Sequence, residues 1–110
     1  MRLIQTMGRE RYSFGEITLD VDEHRVLRMR SFENVRTDRF KALVVPYGIG
    51  LGGAVAAQRQ PQTIQDYLPS RAVTHTAEID DAAVEEGIRS GVAAPVEFVL
   101  QHGGQRLQEG

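Results

Sequence analysis

Hydrophobic and polar residues alternate in two stretches near the start of the chain. Residues 11–21 contain Tyr12, Phe14, Ile17, Leu19 and Val21. In residues 25–32, Arg28 and Arg30 interrupt Val26, Leu27 and Met29. A period of two predicts half-buried strands, and the polar segment 20–24 between them predicts a turn. The two stretches therefore predict an antiparallel hairpin with one face toward solvent.

The rest of the chain predicts short strands that alternate with short helices. We predict strands at 42–45, 63–65 and 88–100, helices at 51–59 and 76–86, and a hairpin turn at Gly103-Gly104. Pro61 should end the first helix, and Gly87 suits the position just after the second. This order predicts one α+β domain, in which a largely antiparallel sheet is flanked by helices.

Composition narrows the class of protein. The chain has 110 residues, of which 41% are hydrophobic and 25% charged, and these values are typical of one globular domain. The net charge of −2 gives no reason to expect nucleic acid on this domain. The absence of cysteine excludes disulfides, thiolate metal sites and a cysteine nucleophile. The N-terminus is too polar for a signal peptide, so we expect a cytoplasmic protein. We also expect that the domain has no cofactor.

The segment 48–66, GIGLGGAVAAQRQPQTIQD, contains the richest local pattern. Gly48, Gly50 and Gly53 match the dinucleotide fingerprint G-x-G-x-x-G, and Asp66 stands where a ribose-binding acid would follow. Pro46 and Tyr47, however, separate the preceding strand from the first glycine. The helix before Pro61 is also too short for a parallel crossover. A dinucleotide-binding enzyme fragment is therefore an alternative, and the three glycines are interpreted as a structural turn.

The stretch 46–96 resembles the middle of a GAF domain, of the type found in bacterial transcription regulators and sensor kinases. The segments that carry the resemblance are PYGIGLGG at 46–53, AVAA at 54–57, the 61–67 stretch that ends in Asp66-Tyr67, and GIRSGVAAPV at 87–96. The resemblance implies a profilin- or PAS-like fold. It also implies a non-catalytic sensing or regulatory domain, with DNA contacted only through a separate output domain.

The same resemblance implies that the sheet is incomplete. GAF domains continue beyond the Gly103-Gly104 turn with further strands and a helix, whereas only 105–110 remain here. The opening helix of the family is reduced to Leu3–Met7. We therefore expect residues 1–110 to form a partial domain that dimerises with a second copy across an exposed sheet edge. A module that only dimerises, without a ligand, is a further alternative.

Five residues are candidate contacts for a small-molecule ligand: Tyr67, His75, Arg89, Ser90 and Phe98. The aromatic residues could line a pocket between sheet and helices, and Arg89 could bind an anion. His75 has no second histidine at ligand spacing, so we predict no metal site. The carboxylates Asp80, Asp81, Glu85 and Glu86 are expected to face solvent, opposite the apolar stripe of their helix.

Overall fold

The computed structural model describes residues 1–100, apart from the side chain of Tyr12. The strands are β1 (Arg2–Gly8), β2 (Phe14–Val21), β3 (Val26–Glu33), β4 (Val44–Pro46), β5 (Gln62–Ile64) and β6 (Ser90–Pro95). The helices are α1 (Asp38–Lys41), α2 (Gly50–Gln58) and α3 (Ala77–Glu86), with a 3₁₀ turn at Glu10–Tyr12. Residues 96–100 are also helical. No helix in the described range is long and apolar enough to cross a membrane.

The strands form one curled, six-stranded sheet in the order β4-β3-β2-β1-β6-β5. Every pair of neighbouring strands is antiparallel. Helix α2 packs against β4, β3, β1, β6 and β5, and therefore lies across the concave face. Inward-facing Leu3, Met7 and Leu19 are almost fully buried there. The α+β class with an antiparallel sheet is confirmed.

The hairpin of β2 and β3 and both central helices agree with the sequence prediction. Thr76 caps α3 by accepting a hydrogen bond from the Ile79 amide, and Gly87 ends the helix with φ 83°. A left-handed residue at that position is a common helix terminator, and glycine adopts it without steric cost.

Two element predictions were wrong. Leu3–Met7 is part of strand β1, one of the two central strands, because these residues pair with β2 on one side and with β6 on the other. The strand predicted over 88–100 covers only β6, and residues 96–100 are helical after Pro95. Proline lacks the amide needed to continue a ladder and is well tolerated next to the start of a helix. The predicted turn at Gly103-Gly104 lies outside the described residues.

The glycine segment packs α2 and does not form a dinucleotide-binding crossover. β4 precedes α2 and β5 follows it, but these strands lie at opposite edges of the sheet and are antiparallel to their neighbours. The fingerprint requires a parallel β–α–β unit. Instead, the Gly48 amide donates to the Gly53 carbonyl over 2.8 Å, which closes the turn. Gly48 and Gly50 have positive φ angles, 79° and 65°, and the assignment of the three glycines to a structural turn stays a prediction.

Candidate functional site

A small cavity of about 50 Å³ lies between the concave face of the sheet and the helices. Its floor comes from β1, β2 and β3, and its roof from α2 and α3. The lining residues are Gln5, Met7, Ile17, Leu19, Met29, Phe40, Leu43, Val45, Gly50, Leu51, Gly52, Ile64, Tyr67, Ile79, Ala83, Ile88, Ser90 and Gly91. In this conformation the cavity has room for a few water molecules, since a cavity needs roughly 10–15 Å³ to hold one.

The lining is apolar and contains no charged side chain among the residues that the structure describes. Gln5 and Tyr67 supply the polar groups that face it. Ser90 is a lining residue, but its hydroxyl lies on the other face of the sheet, next to Gly8. A methyl group added to Gly8 would meet both Ser90 Oγ, at 2.3 Å, and the exposed Phe14 ring. The predicted contact of the Ser90 hydroxyl with a ligand in this cavity is therefore not supported by its position.

The other predicted site residues are dispersed. Tyr67 is buried and lines the cavity. Arg89 is exposed, forms an ion pair with Glu10, and lines a surface cleft instead. Phe98 lies half-buried in the helical segment 96–100 and is not a lining residue. Tyr67 and the first residues of β6 therefore line the cavity, whereas Arg89 and Phe98 lie outside it.

His75 stands behind Tyr67, in the segment between β5 and α3. We call this segment, residues 65–76, the strap. His75 Nδ1 lies 2.9 Å from Asp80 Oδ1, and Nε2 lies 2.6 Å from the Ser70 carbonyl oxygen. The Tyr67 hydroxyl donates to the same Asp80 oxygen over 2.8 Å. Asp80 therefore connects the strap to the first turns of α3.

Both ring nitrogens of His75 face acceptors, so only the imidazolium can donate to both. The hydrogen bonds to Asp80 and to the Ser70 carbonyl raise the pKa of His75, and they outweigh burial, which lowers it. Burial and the bond to Asp80 raise the pKa of Tyr67 well above its ordinary range. Tyr67 therefore remains a hydrogen-bond donor at any physiological pH. The described residues hold no group of three or more side chains placed to bind a metal.

The strap should hold α3 less tightly as the pH rises. Because the folded pKa of His75 is raised, its contribution to stability is complete below the unfolded value near 6.5 and is lost as pH rises through the folded value. We expect the free energy of unfolding of the wild type to fall by up to about 1 kcal/mol between pH 6 and pH 8.5, the contribution of a largely solvated ion pair. Urea denaturation of wild type and His75→Gln measures it.

The variant should show a flatter pH dependence, and His24→Gln is the control. His24 is exposed, and its only described ionic neighbour is Glu23 at 3.7 Å. A parallel pH profile for wild type and His75→Gln would contradict the assignment.

A buried ion pair fixes the other end of α3. Arg9 Nη1 lies 3.0 Å from Glu86 Oε2, and both side chains are almost completely buried. The Arg9 guanidinium also donates to the Asn34 carbonyl and to Ser13 Oγ. Glu86 additionally accepts from the amides of Arg36 and Thr37 and from the Thr37 hydroxyl, at 2.8–2.9 Å. The pair joins the ends of β1 and β3, the start of α1 and the end of α3.

Glu86 remains ionised in this environment. Burial raises its pKa. The hydrogen bonds from Arg36 and Thr37 and the charge of Arg9 lower it by more, so the pKa of Glu86 lies below its ordinary value. The expectation that the carboxylates of α3 face solvent is correct for Asp81 and Glu85, which are exposed. It was wrong for Glu86, and Asp80 is half-buried because Tyr67 and His75 both contact it.

Gln5 is the cavity residue that sequence reasoning missed. It was assigned to a reduced helix, which hid the fact that Leu3, Gln5 and Met7 share one face of a strand. The alternation of Leu3 and Met7 around a polar residue was the available signal.

The chain is similar to part of a known regulator. Over 70 residues, 64% of this chain, it is 37% identical to the HTH-type transcriptional activator RamA of Corynebacterium glutamicum. The match covers 24% of that protein, so the chain spans about a quarter of the length of this relative. No known protein family matches the chain, and no solved structure matches it significantly. This partial match fits a transcription-regulator context.

Proposed function

We propose that this chain is a non-catalytic sensor domain of a transcription regulator, with a GAF-like fold. The observation that carries the proposal is the apolar cavity between the sheet and the helices, which contains very few polar groups. Apolar cavities with a small number of converging polar groups are the usual form of small-molecule sites. The similarity to a transcriptional activator supports a regulatory role for such a site.

The proposed mechanism is a shift between conformations. A cavity of about 50 Å³ is smaller than the roughly 300–1,000 Å³ of ligand pockets, so a ligand requires an opened state. The strap and α3 are the elements that can open, because Tyr67, Ile79 and Ala83 form one wall. A ligand that binds the opened state better than the closed one shifts the population toward it. In this proposal, the position of α3 transmits ligand binding to the rest of the regulator.

Ligand-dependent stabilisation tests the proposal. We expect at least one member of a panel of cyclic nucleotides, small aromatic acids and their uncharged amides to stabilise the protein. At a hundredfold excess over Kd the gain in unfolding free energy is about 2.7 kcal/mol, and a thermal shift assay detects it.

Two substitutions of alanine by valine on α3 locate the binding site. Ala83→Val fills space at the cavity wall and should weaken binding about tenfold or more. Ala77→Val, the same change at an exposed position of the same helix, should leave binding unchanged. If no compound stabilises the protein, or if both variants bind as wild type does, the cavity is not a sensing site.

A module that dimerises without a ligand is the second candidate, and the small size of the cavity favours it. Among residues 1–100, the part of β3 beyond Arg28 pairs only with β2, because β4 covers just Val26–Arg28. This open edge offers backbone groups to a second copy. Light scattering should then give a dimer that persists at high dilution and is insensitive to every compound of the panel. A well-folded monomer at all concentrations would remove this candidate.

A further inference from the structure

The carboxamide of Gln5 is the one polar group on the inner face of β1. Leu3 and Met7, its neighbours on that face, are both 0% exposed. Gln5 Oε1 lies close to α2, at 3.1 Å from where a methyl group on Gly52 would stand. Strand β1 therefore presents an amide to the cavity, between two apolar residues of the same face.

Within residues 1–100 this carboxamide has no hydrogen-bond partner, whereas the Tyr67 hydroxyl is already bonded to Asp80. No described side-chain polar atom is both sealed from solvent and unsatisfied, so the amide of Gln5 is accessible. A carboxamide provides an acceptor and two donors next to each other. Solvent reaches this amide, so a molecule that enters the cavity displaces the water hydrogen-bonded to it. A molecule that replaces those hydrogen bonds binds more tightly than one that does not.

The surroundings of Gln5 also disfavour an anionic ligand. No described residue of the lining is charged, and Asp80 lies behind Tyr67. An anion would lose its hydration without meeting a cation, which is unfavourable in an apolar site. Arg89 lies between the lining residues Ile88 and Ser90 in sequence, but it is exposed and paired with Glu10.

From these observations we propose that the cavity binds an uncharged molecule with an apolar body and one amide-like group, which pairs with the carboxamide of Gln5. This inference rests on the proposed function, since it requires the cavity to be a ligand site. The donor and acceptor of an amide, a lactam or a similar ring edge match those of Gln5 in a two-hydrogen-bond arrangement.

Three probes of similar shape test the inference by calorimetry at pH 7.5: benzamide, benzoate and toluene. Wild type should bind benzamide at least about tenfold more tightly than benzoate. Gln5→Met keeps the length of the side chain and removes its polar atoms. It should lose about tenfold in benzamide affinity, the value of one or two hydrogen bonds, and keep its affinity for toluene.

Thr6→Val is the matched control, because Thr6 is the next residue of β1 and shares the outer face with Val92. It should bind all three probes as wild type does. Equal binding of benzoate and benzamide, or undiminished binding of benzamide by Gln5→Met, would overturn the inference. Binding of toluene alone would overturn it and leave the proposed function standing. Failure of all three probes together with the whole panel would overturn both.

Discussion

Replacing Glu86 by glutamine should destabilise the domain by about 3–5 kcal/mol, the cost of removing one partner of a buried ion pair. The Arg9 guanidinium would remain buried without a counter-charge, since both side chains of the pair are at most 3% exposed. Such a loss is a large part of the roughly 5–15 kcal/mol that stabilises a typical domain. Urea denaturation followed by circular dichroism measures it.

Glu85→Gln is the control for this prediction, because it makes the same change at the adjacent residue. The Glu85 side chain is 51% exposed and lies 3.5 Å from an equally exposed Arg39. Exposed pairs contribute roughly 0–1 kcal/mol, so this variant should remain close to wild type. Equal losses for the two variants would show that Glu86 is not the anchor of α3.

The position of Glu86 also determines how the domain responds to acid. Its folded pKa is depressed, so its contribution to stability is present above the unfolded value and is lost as pH falls through the folded value. His75 acts with the opposite sign at the other end of α3, where protonation strengthens the contact with Asp80. The two ends of one helix are therefore held by groups that respond to opposite changes in pH.

Patterns that depend on neighbouring residues predicted the local elements well. The hairpin of β2 and β3 follows from alternation, and the bounds of α3 follow from Thr76 and Gly87. The start of the chain was misassigned because helical and strand periods cannot be separated over a segment as short as Leu3–Met7. Its strand identity comes from pairing with β6, about 90 residues later in the chain.

The site was less predictable than the fold because it depends on contacts between distant residues. Glu86 belongs to a run of acidic residues that is expected to be solvated. Its contacts with Arg9, 77 positions away, and with Arg36 and Thr37 make it a buried anchor. Ser90 was predicted as a ligand contact; it lines the cavity, but the strand register turns its hydroxyl to the other face. Gln5 became visible as a cavity residue only once β1 was placed at the centre of the sheet.

The second large loss of stability is expected for a substitution in the glycine segment, residues 48–66. Gly53→Ala would place a methyl group 2.5 Å from the Pro46 carbonyl oxygen and 3.2 Å from the Gly48 amide nitrogen. Both are backbone atoms of the turn that starts α2, so relief of the clash requires the turn itself to move. Overpacking of this kind costs about 1–3 kcal/mol or more, and the gain of about 1 kcal/mol in helix propensity offsets it only in part. Thermal unfolding of the variant measures the net loss.

Gly52→Ala, one position earlier, distinguishes a clash with the backbone from a general intolerance of α2. Its methyl group would meet Gln5 Oε1 at 3.1 Å and Leu27 Cδ2 at 3.4 Å, and the ends of both side chains can shift. This variant should stay within about 1 kcal/mol of wild type, because helix propensity compensates for the tighter contact. If Gly53→Ala were as stable as Gly52→Ala, close approach to Pro46 would not be the reason for glycine at that position. The G-x-G-x-x-G pattern would then need another explanation.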